Sequence, residues 1–319
     1  MRAPGRLHLG FLDPSATLGR AFGSLGLVID GFETTVMLQN AACDGASADS
    51  PAAAAEIPRA LAHLQSLRVH SGCLEPLHLR LLQVLPTHAG FGSGTQLALA
   101  LGRAFCRWHA IEVETAMIAQ WRSRGRRSGI GISGFDLGGL LLDGGPGKNG
   151  GVAPLLSRLA LPSAWRVLVV QDPTRQGLSG ARELQAIGTL PPLPQDAAAD
   201  LCHQVLMRLL PGAADADFGA FAAGLNRMQL LLGAHFAAAQ GGSAYTSAAV
   251  GQLLQWLAEA YPGQVAVGQS SWGPTGFAIV PDAATAQALV QTAQAAGLLQ
   301  PDLLLKVVQA RNHGALVDP

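Results

Sequence analysis

Residues 86–95 read Pro86-Thr87-His88-Ala89-Gly90-Phe91-Gly92-Ser93-Gly94-Thr95, and the run after them, 96–109, is rich in alanine and leucine. That run predicts a helix, so the decapeptide is a glycine-rich turn feeding a helix N-terminus. Phosphate is held where several donors converge on one small volume, and this combination supplies them. Gly90, Gly92 and Gly94 permit positive φ and close backbone approach, while the helix start contributes free N–H groups and a positive dipole end. Ser93 and Thr95 add hydroxyls. No Gly-Lys-Ser/Thr closes the run, so it is not a Walker A loop. The same pattern also serves as a plain turn capped by Ser or Thr, and the loop gains meaning only from its company.

Upstream, short apolar runs at 7–9, 25–29 and 34–38 predict strands, and 78–84 predicts another ending at Pro86. Residues 57–67 have helical spacing, and the small, polar, alanine-rich 41–55 reads as a surface excursion. Downstream lies a second glycine-rich region, 125–139, followed by apolar 140–142. Gly144–Gly151 is the clearest linker signal, which places a boundary there and divides the chain into 1–158 and 159–319. Beyond it, 165–170, 264–270, 276–280 and 303–307 predict strands, and 196–210, 217–239, 244–261 and 283–296 predict helices. Strands and helices mixed without regular alternation indicate an α+β fold.

The chain has 319 residues, 49% of them hydrophobic and only 13% charged, which is ample for one large or two medium-sized cores. Lys+Arg and Asp+Glu both number 21, so no net charge draws it to nucleic acid or to an anionic membrane. Any anion must be held by a local site. Cys43, Cys73, Cys106 and Cys202 form no CxxC pair and are expected as free, mostly buried thiols. No signal-peptide pattern opens the chain and no window reaches the ~18 apolar residues of a membrane span, so a cytoplasmic location is expected. The nine histidines show no metal-type spacing.

Three segments together resemble the GHMP kinase superfamily. Ala3-Pro4-Gly5-Arg6-Leu7-His8-Leu9-Gly10 looks like its first motif, 86–95 like its phosphate loop, and Ser270-Ser271-Trp272-Gly273-Pro274-Thr275-Gly276 like its third motif, which closes on that loop. The resemblance implies a two-lobed α+β fold, with an N-terminal ribosomal-protein-S5-like lobe and a C-terminal ferredoxin-like lobe. Arg6–Gly10, Gly92–Gln96, Gly125–Gly131, Phe135–Gly139, Asp143–Gly145 and Ser271–Thr275 also resemble a non-kinase branch, the β-ribofuranosylaminobenzene 5′-phosphate synthases. That branch implies condensation of phosphoribosyl pyrophosphate with 4-amino- or 4-hydroxybenzoate, releasing CO2 and pyrophosphate, on the way to tetrahydromethanopterin-type carriers. Mg²⁺ and a homodimer come with the resemblance. Many of the kinases carry Ser-Gly-Ile-Asp, whose aspartate takes the acceptor's proton; here the run is Ser128-Gly129-Ile130-Gly131. Glycine cannot act as a base, which counts against phosphoryl transfer by that route. A small-molecule kinase is the second reading, and a non-catalytic ligand-binding relative the third.

Under the synthase reading, Arg126, Arg127 and Ser128, from the basic patch Arg122, Arg124, Arg126, Arg127, are candidates for the 5′-phosphate or the carboxylate. A solvated helix end is the alternative. Asp136 and Asp143 are candidate Mg²⁺ ligands, and Asp136 also stands as a stabiliser of the ribosyl cation; turn capping is the alternative for both. Arg6 and His8 are the other catalytic candidates, against a paired strand arginine and a satisfied core histidine. Arg175, Ser179 and Glu183 form a possible second anion site, although Ser179 also suits a helix cap. Thr275 is expected to close on the phosphate loop, and Trp272 either to stack on a ring or to pack beneath the turn.

Overall fold

The computed structural model describes residues 1–121, 125, 127–147, 151–178 and 180–317. Arg122, Arg124, Arg126 and Ser179 lie outside the described residues. The chain opens with a long antiparallel hairpin of β1 (Arg2–Asp13) and β2 (Phe22–Asn40). The runs at 25–29 and 34–38, expected as separate strands, belong to the one strand β2. Gly31, at φ +74, is where that strand departs from regular extended geometry between them.

After β3 (Gly45–Ala48) comes α1 (Pro51–Ser71), started by Ser50, whose hydroxyl accepts from the Ala53 N–H at 3.2 Å. The 41–55 stretch is therefore a strand and a helix start rather than an excursion. Ser50-Pro51 is the missed signal, a capping residue followed by proline at the first helical position. Then follow β4 (Leu77–Gln83), α2 (Ser93–Trp108), α3 (Thr115–Trp121), α4 (Ile130–Leu137), β5 (Leu140–Asp143) and β6 (Leu155–Leu159). Their strands form a six-stranded sheet in the order β3-β4-β2-β5-β6, with β1 paired to β2.

The second sheet runs β10-β7-β9-β8, built from β7 (Arg166–Gln171), β8 (Ala266–Gln269), β9 (Thr275–Val280) and β10 (Leu304–Val308). Between β7 and β8 come α5 (Gly180–Thr189), α6 (Gln195–Gln204), a π turn (Val205–Leu209), α7 (Leu210–Ala214), α8 (Phe218–Phe236) and α9 (Ala248–Ala260). The last helix, α10 (Ala283–Ala295), connects β9 to β10. Two sheets with unevenly distributed helices make the fold α+β, as the lack of alternation indicated.

One apolar core joins the sheets: Leu7, Leu9 and Leu27 of the first pack with Val167, Val169 and Phe277 of the second and with Phe221 and Leu225 of α8. After β10 the chain returns to the first sheet, where Arg2 and Leu316 exchange backbone hydrogen bonds at 2.7 and 2.9 Å. Among the described residues no helix is long and apolar enough to cross a membrane. The cysteines are free, but only Cys106 is buried, and Cys43 is exposed. Few positions in the alanine-rich 41–55 segment pack deeply enough to cover it.

Candidate functional site

The loop 86–92 delivers the chain to α2 through two left-handed glycines, Gly90 at φ +95 and Gly92 at φ +76. Gly92 stands at the N-cap, so the N–H groups of Ser93 and Gly94, at the start of α2, have no intrahelical acceptor. The 270–274 turn between β8 and β9 lies directly against this loop. Ser270 makes the join: its hydroxyl donates to the Gly90 carbonyl at 2.7 Å and accepts the His8 N–H at 2.9 Å. The Ser271 N–H donates to the His8 carbonyl at 3.1 Å. The three motif segments thus meet at one point, as their resemblance implied. A fourth segment, 172–178, seals the join, with the Gly177 N–H donating to the His88 carbonyl at 3.0 Å. A Cβ on Gly273 would sit 2.5 Å from the Ala89 carbonyl carbon, and one on Gly177 would sit 2.3 Å from the Trp272 oxygen. These backbones approach at distances only glycine permits.

Two cations flank the loop. Arg6 Nη1 donates to the Gly90 carbonyl at 2.6 Å, and its guanidinium lies 3.1 Å from where a Gly92 Cβ would stand. Burial lowers Arg6 to about 10, with the Glu183 carboxylate pulling the other way. Arg127 Nη2 pairs with Glu183 at 2.7 Å, so the first turn of α5 supplies the carboxylate that orients it. Among the described residues, Arg6 Nε and Arg127 Nη1 are buried without a hydrogen-bond partner. Buried guanidinium nitrogens without acceptors are costly, and an anion between them removes that cost.

His8 follows Arg6 by two residues on β1 and sits edge-on to Phe11, with centroids 4.6 Å apart. Only 4% exposed, it has no partner on either ring nitrogen among the described residues. Burial, then the Arg6 and Arg127 cations, push it down to about 3, so it is a neutral imidazole at physiological pH. Thr275, fully buried at the start of β9, also has a hydroxyl unpartnered among the described residues. Arg175 is exposed on the 172–178 segment at the rim of the join. Trp272 is buried and packs on Phe236 at 4.7 Å between centroids.

The two candidate metal ligands, Asp136 and Asp143, lie elsewhere. Asp143 is fully buried and accepts from the N–H groups of Ser24 (3.1 Å), Gly145 (2.8 Å) and Gly129 (2.7 Å) and from the Ser128 hydroxyl (3.1 Å). Four donors fill a carboxylate's acceptor positions. Burial nonetheless pushes its pKa up, with those donors opposing. Asp143 clamps the entry to α4 and engages the Ser128 hydroxyl, which in turn accepts the Ile130 N–H at 3.3 Å. Asp136, near the end of α4, accepts from the Thr115 hydroxyl at 2.6 Å, and Thr115 in turn accepts from Arg103 at 2.5 Å. Arg103 is ten residues along α2 from Ser93, about 15 Å down the axis at 1.5 Å per residue. The structure therefore does not bring Asp136 to the loop. Burial raises its pKa, and the Thr115 bond and the Arg103 charge oppose that. With Asp143 saturated by four donors and Asp136 engaged by Thr115, these two side chains do not fit the Mg²⁺ site expected of them.

Gly131, on the first turn of α4, faces the loop directly. A Cβ there would stand 3.2 Å from Thr95 Cγ2, and the Gln96 side chain donates to its carbonyl at 2.9 Å. The sequence placed Ser270 in the third motif and Glu183 in a second anion site, but showed neither Ser270's bonds to Gly90 and His8 nor Glu183's pairing with Arg127, because these depend on partners far away in the chain.

Comparison with known proteins agrees with this layout. Residues 56–139 match the N-terminal domain of GHMP kinases and residues 209–297 match their C-terminal domain, together more than half of the chain. A beta-ribofuranosylphenol 5′-phosphate synthase from Archaeoglobus fulgidus is 28% identical over 291 residues, 88% of this chain and 87% of the relative. The Methanothermobacter thermautotrophicus protein of the same name is 28% identical over 245 residues, 72% of this chain and 74% of the relative. L. major mevalonate kinase, 14% identical, superposes with a TM-score of 0.69 over 97% of this chain and 95% of its own, a likeness of fold alone. Both halves of the molecule and their meeting at the phosphate loop carry one conclusion: the chain belongs to the GHMP kinase superfamily.

Proposed function

We propose that the protein is a pentosyl-transferring synthase that joins phosphoribosyl pyrophosphate to a para-substituted benzoate, with loss of CO2 and pyrophosphate. The observation that carries this reading is the pair of guanidinium nitrogens, on Arg6 and Arg127, left unpartnered beside the phosphate loop while the kinase base position is Gly131. The site is built to hold and stabilise anions and has no carboxylate to deprotonate an alcohol at that point. The relatives' names point the same way, since their product is a ribofuranosylphenol phosphate, so 4-hydroxybenzoate is the first acceptor to test.

The chemistry follows from the charges. The bond from ribosyl C1 to the diphosphate oxygen breaks, the leaving group carries the electron pair, and the donors of α2 and the two arginines stabilise its growing charge. The ring carbon bearing the carboxylate attacks C1. Cleavage of the bond to CO2 then returns its electron pair to the ring and restores aromaticity. A para hydroxyl or amino group donates electrons to the intermediate, so plain benzoate should not react. No step is drawn through Mg²⁺, because Asp136 and Asp143 do not offer it a site. The product class belongs to the assembly of methanopterin-type one-carbon carriers.

Carboxyl-labelled 4-hydroxybenzoate with phosphoribosyl pyrophosphate should release labelled CO2 and pyrophosphate in equal amounts. If ATP's γ-phosphate is instead transferred to a small alcohol while no labelled CO2 appears, the kinase reading replaces this one.

A further inference from the structure

Beside the phosphate loop, between β1, α8 and the 269–272 turn, lies a pocket with ≈ 430 Å³ of empty space, part of it open solvent. Its walls are largely aromatic: the His8–Phe11 pair on one side and the Phe236–Trp272 pair, 4.7 Å between centroids, on another, with Leu232 between elements. Three glutamines also reach it, but their amides are already engaged. Gln269 Nε2 donates to Gln240 Oε1 at 2.8 Å and to the Ser271 carbonyl at 2.9 Å, while Gln229 donates to the Leu9 carbonyl and accepts from the Gln269 N–H at 3.1 Å. His8 is different. It lines the pocket, is 4% exposed, and has both ring nitrogens unpartnered among the described residues.

A neutral imidazole presents one donor and one acceptor. Without charge it has no particular attraction for a carboxylate, but it matches a group that both donates and accepts, which a phenolic hydroxyl does. The reaction also fixes the direction of the ring. The carbon bearing the carboxylate must face the ribosyl carbon at the phosphate loop, so the para group points away from it.

We propose that this pocket is the acceptor subsite, holding the benzoate ring between Phe11 and the Phe236–Trp272 pair with its para substituent paired to His8 and its carboxylate toward Arg6 and Arg127. The assignment rests on the synthase reading for the identity of the ligand. It makes His8 the residue that separates para-substituted from plain benzoate, a binding role distinct from proton transfer.

Calorimetric titration of 4-hydroxybenzoate, benzoate and phosphoribosyl pyrophosphate into the wild type and two variants tests it. His8→Phe keeps the ring packing and removes both nitrogens. It should weaken 4-hydroxybenzoate by about tenfold to a hundredfold and leave benzoate and phosphoribosyl pyrophosphate within about twofold. Ala244→Phe, at the half-buried rim of the pocket, fills the space without touching His8 and should weaken both benzoates. Unchanged 4-hydroxybenzoate affinity in both variants overturns the subsite, as does a uniform loss of all three ligands in His8→Phe. The reaction is judged separately: a wild type that binds 4-hydroxybenzoate in a His8-dependent way yet releases no CO2 keeps the subsite and discards the synthase reading.

Discussion

Free imidazole titrates near 6.5, and His8 in the folded chain near 3, through burial first and then the Arg6 and Arg127 charges. Between those values the unfolded chain binds a proton that the folded chain refuses. The contribution to stability is therefore complete above about pH 6.5 and is lost as pH falls toward 3. At pH 5 the expected loss is about 2 kcal/mol, from 1.36 kcal/mol per unit. His8→Phe should show a smaller fall in thermal midpoint between pH 7 and pH 5 than the wild type; parallel falls would refute the assignment. Arg6 and His8 were legible in the sequence because alternate positions on a strand share a face, so one motif located both. The carboxylates were not. What decides Asp143 is its donors, and one of them, the Ser24 N–H, lies 119 positions away. Spacing along the chain cannot reveal that saturation, nor that Asp136 ends beside Thr115 and Arg103.

α2 was the most legible element, since its composition, its glycine-rich entry and its buried face agree. α4 was not, because Ile130-Gly131-Ile132-Ser133-Gly134 is too rich in glycine to predict a helix. Gly134 is buried in that helix because Val28 Cγ2 lies only 2.8 Å from where its Cβ would be, so packing against β2 overrides propensity. The loop before α2 has a similar constraint at Gly90, where φ is +95 and a Cβ would sit 2.6 Å from the Ser270 carbonyl. Gly72, at the end of α1, has φ +75 with nothing within 4 Å of its Cβ position. Both replacements by alanine carry the left-handed strain of about 1 kcal/mol or more, but only Gly90→Ala also presses on the join. Denaturant titration should show Gly90→Ala losing more stability than Gly72→Ala, with phosphoribosyl pyrophosphate affinity reduced only in the former. Equal losses and equal affinities would mean that the loop does not lean on Ser270.

At the scale of the molecule, the three motif segments predicted that distant parts of the chain converge, and they do. What they did not disclose is how thoroughly the halves are joined. The core runs from Leu7 and Leu27 through to Val167 and Phe277, and the tail beyond β10 rejoins the first sheet. There the Asp30 N–H donates to the Gln309 carbonyl and the Arg311 N–H to the Val28 carbonyl, both at 2.9 Å. Removing residues 309–319 should cost about 3–6 kcal/mol, at roughly 1 kcal/mol for each backbone hydrogen bond lost together with the buried Arg311 contacts, and unfolding should remain a single transition. Two separate transitions in calorimetry would show that the halves are independent after all. The seam of Gly90, Gly177 and Gly273 has a further consequence. Backbones that touch without side chains between them leave no soft layer to deform, so the anion's donors are aligned before any ligand arrives. Their ordering is settled once, when the chain folds, and does not recur with each encounter. The site is a finished mould before its ligand comes.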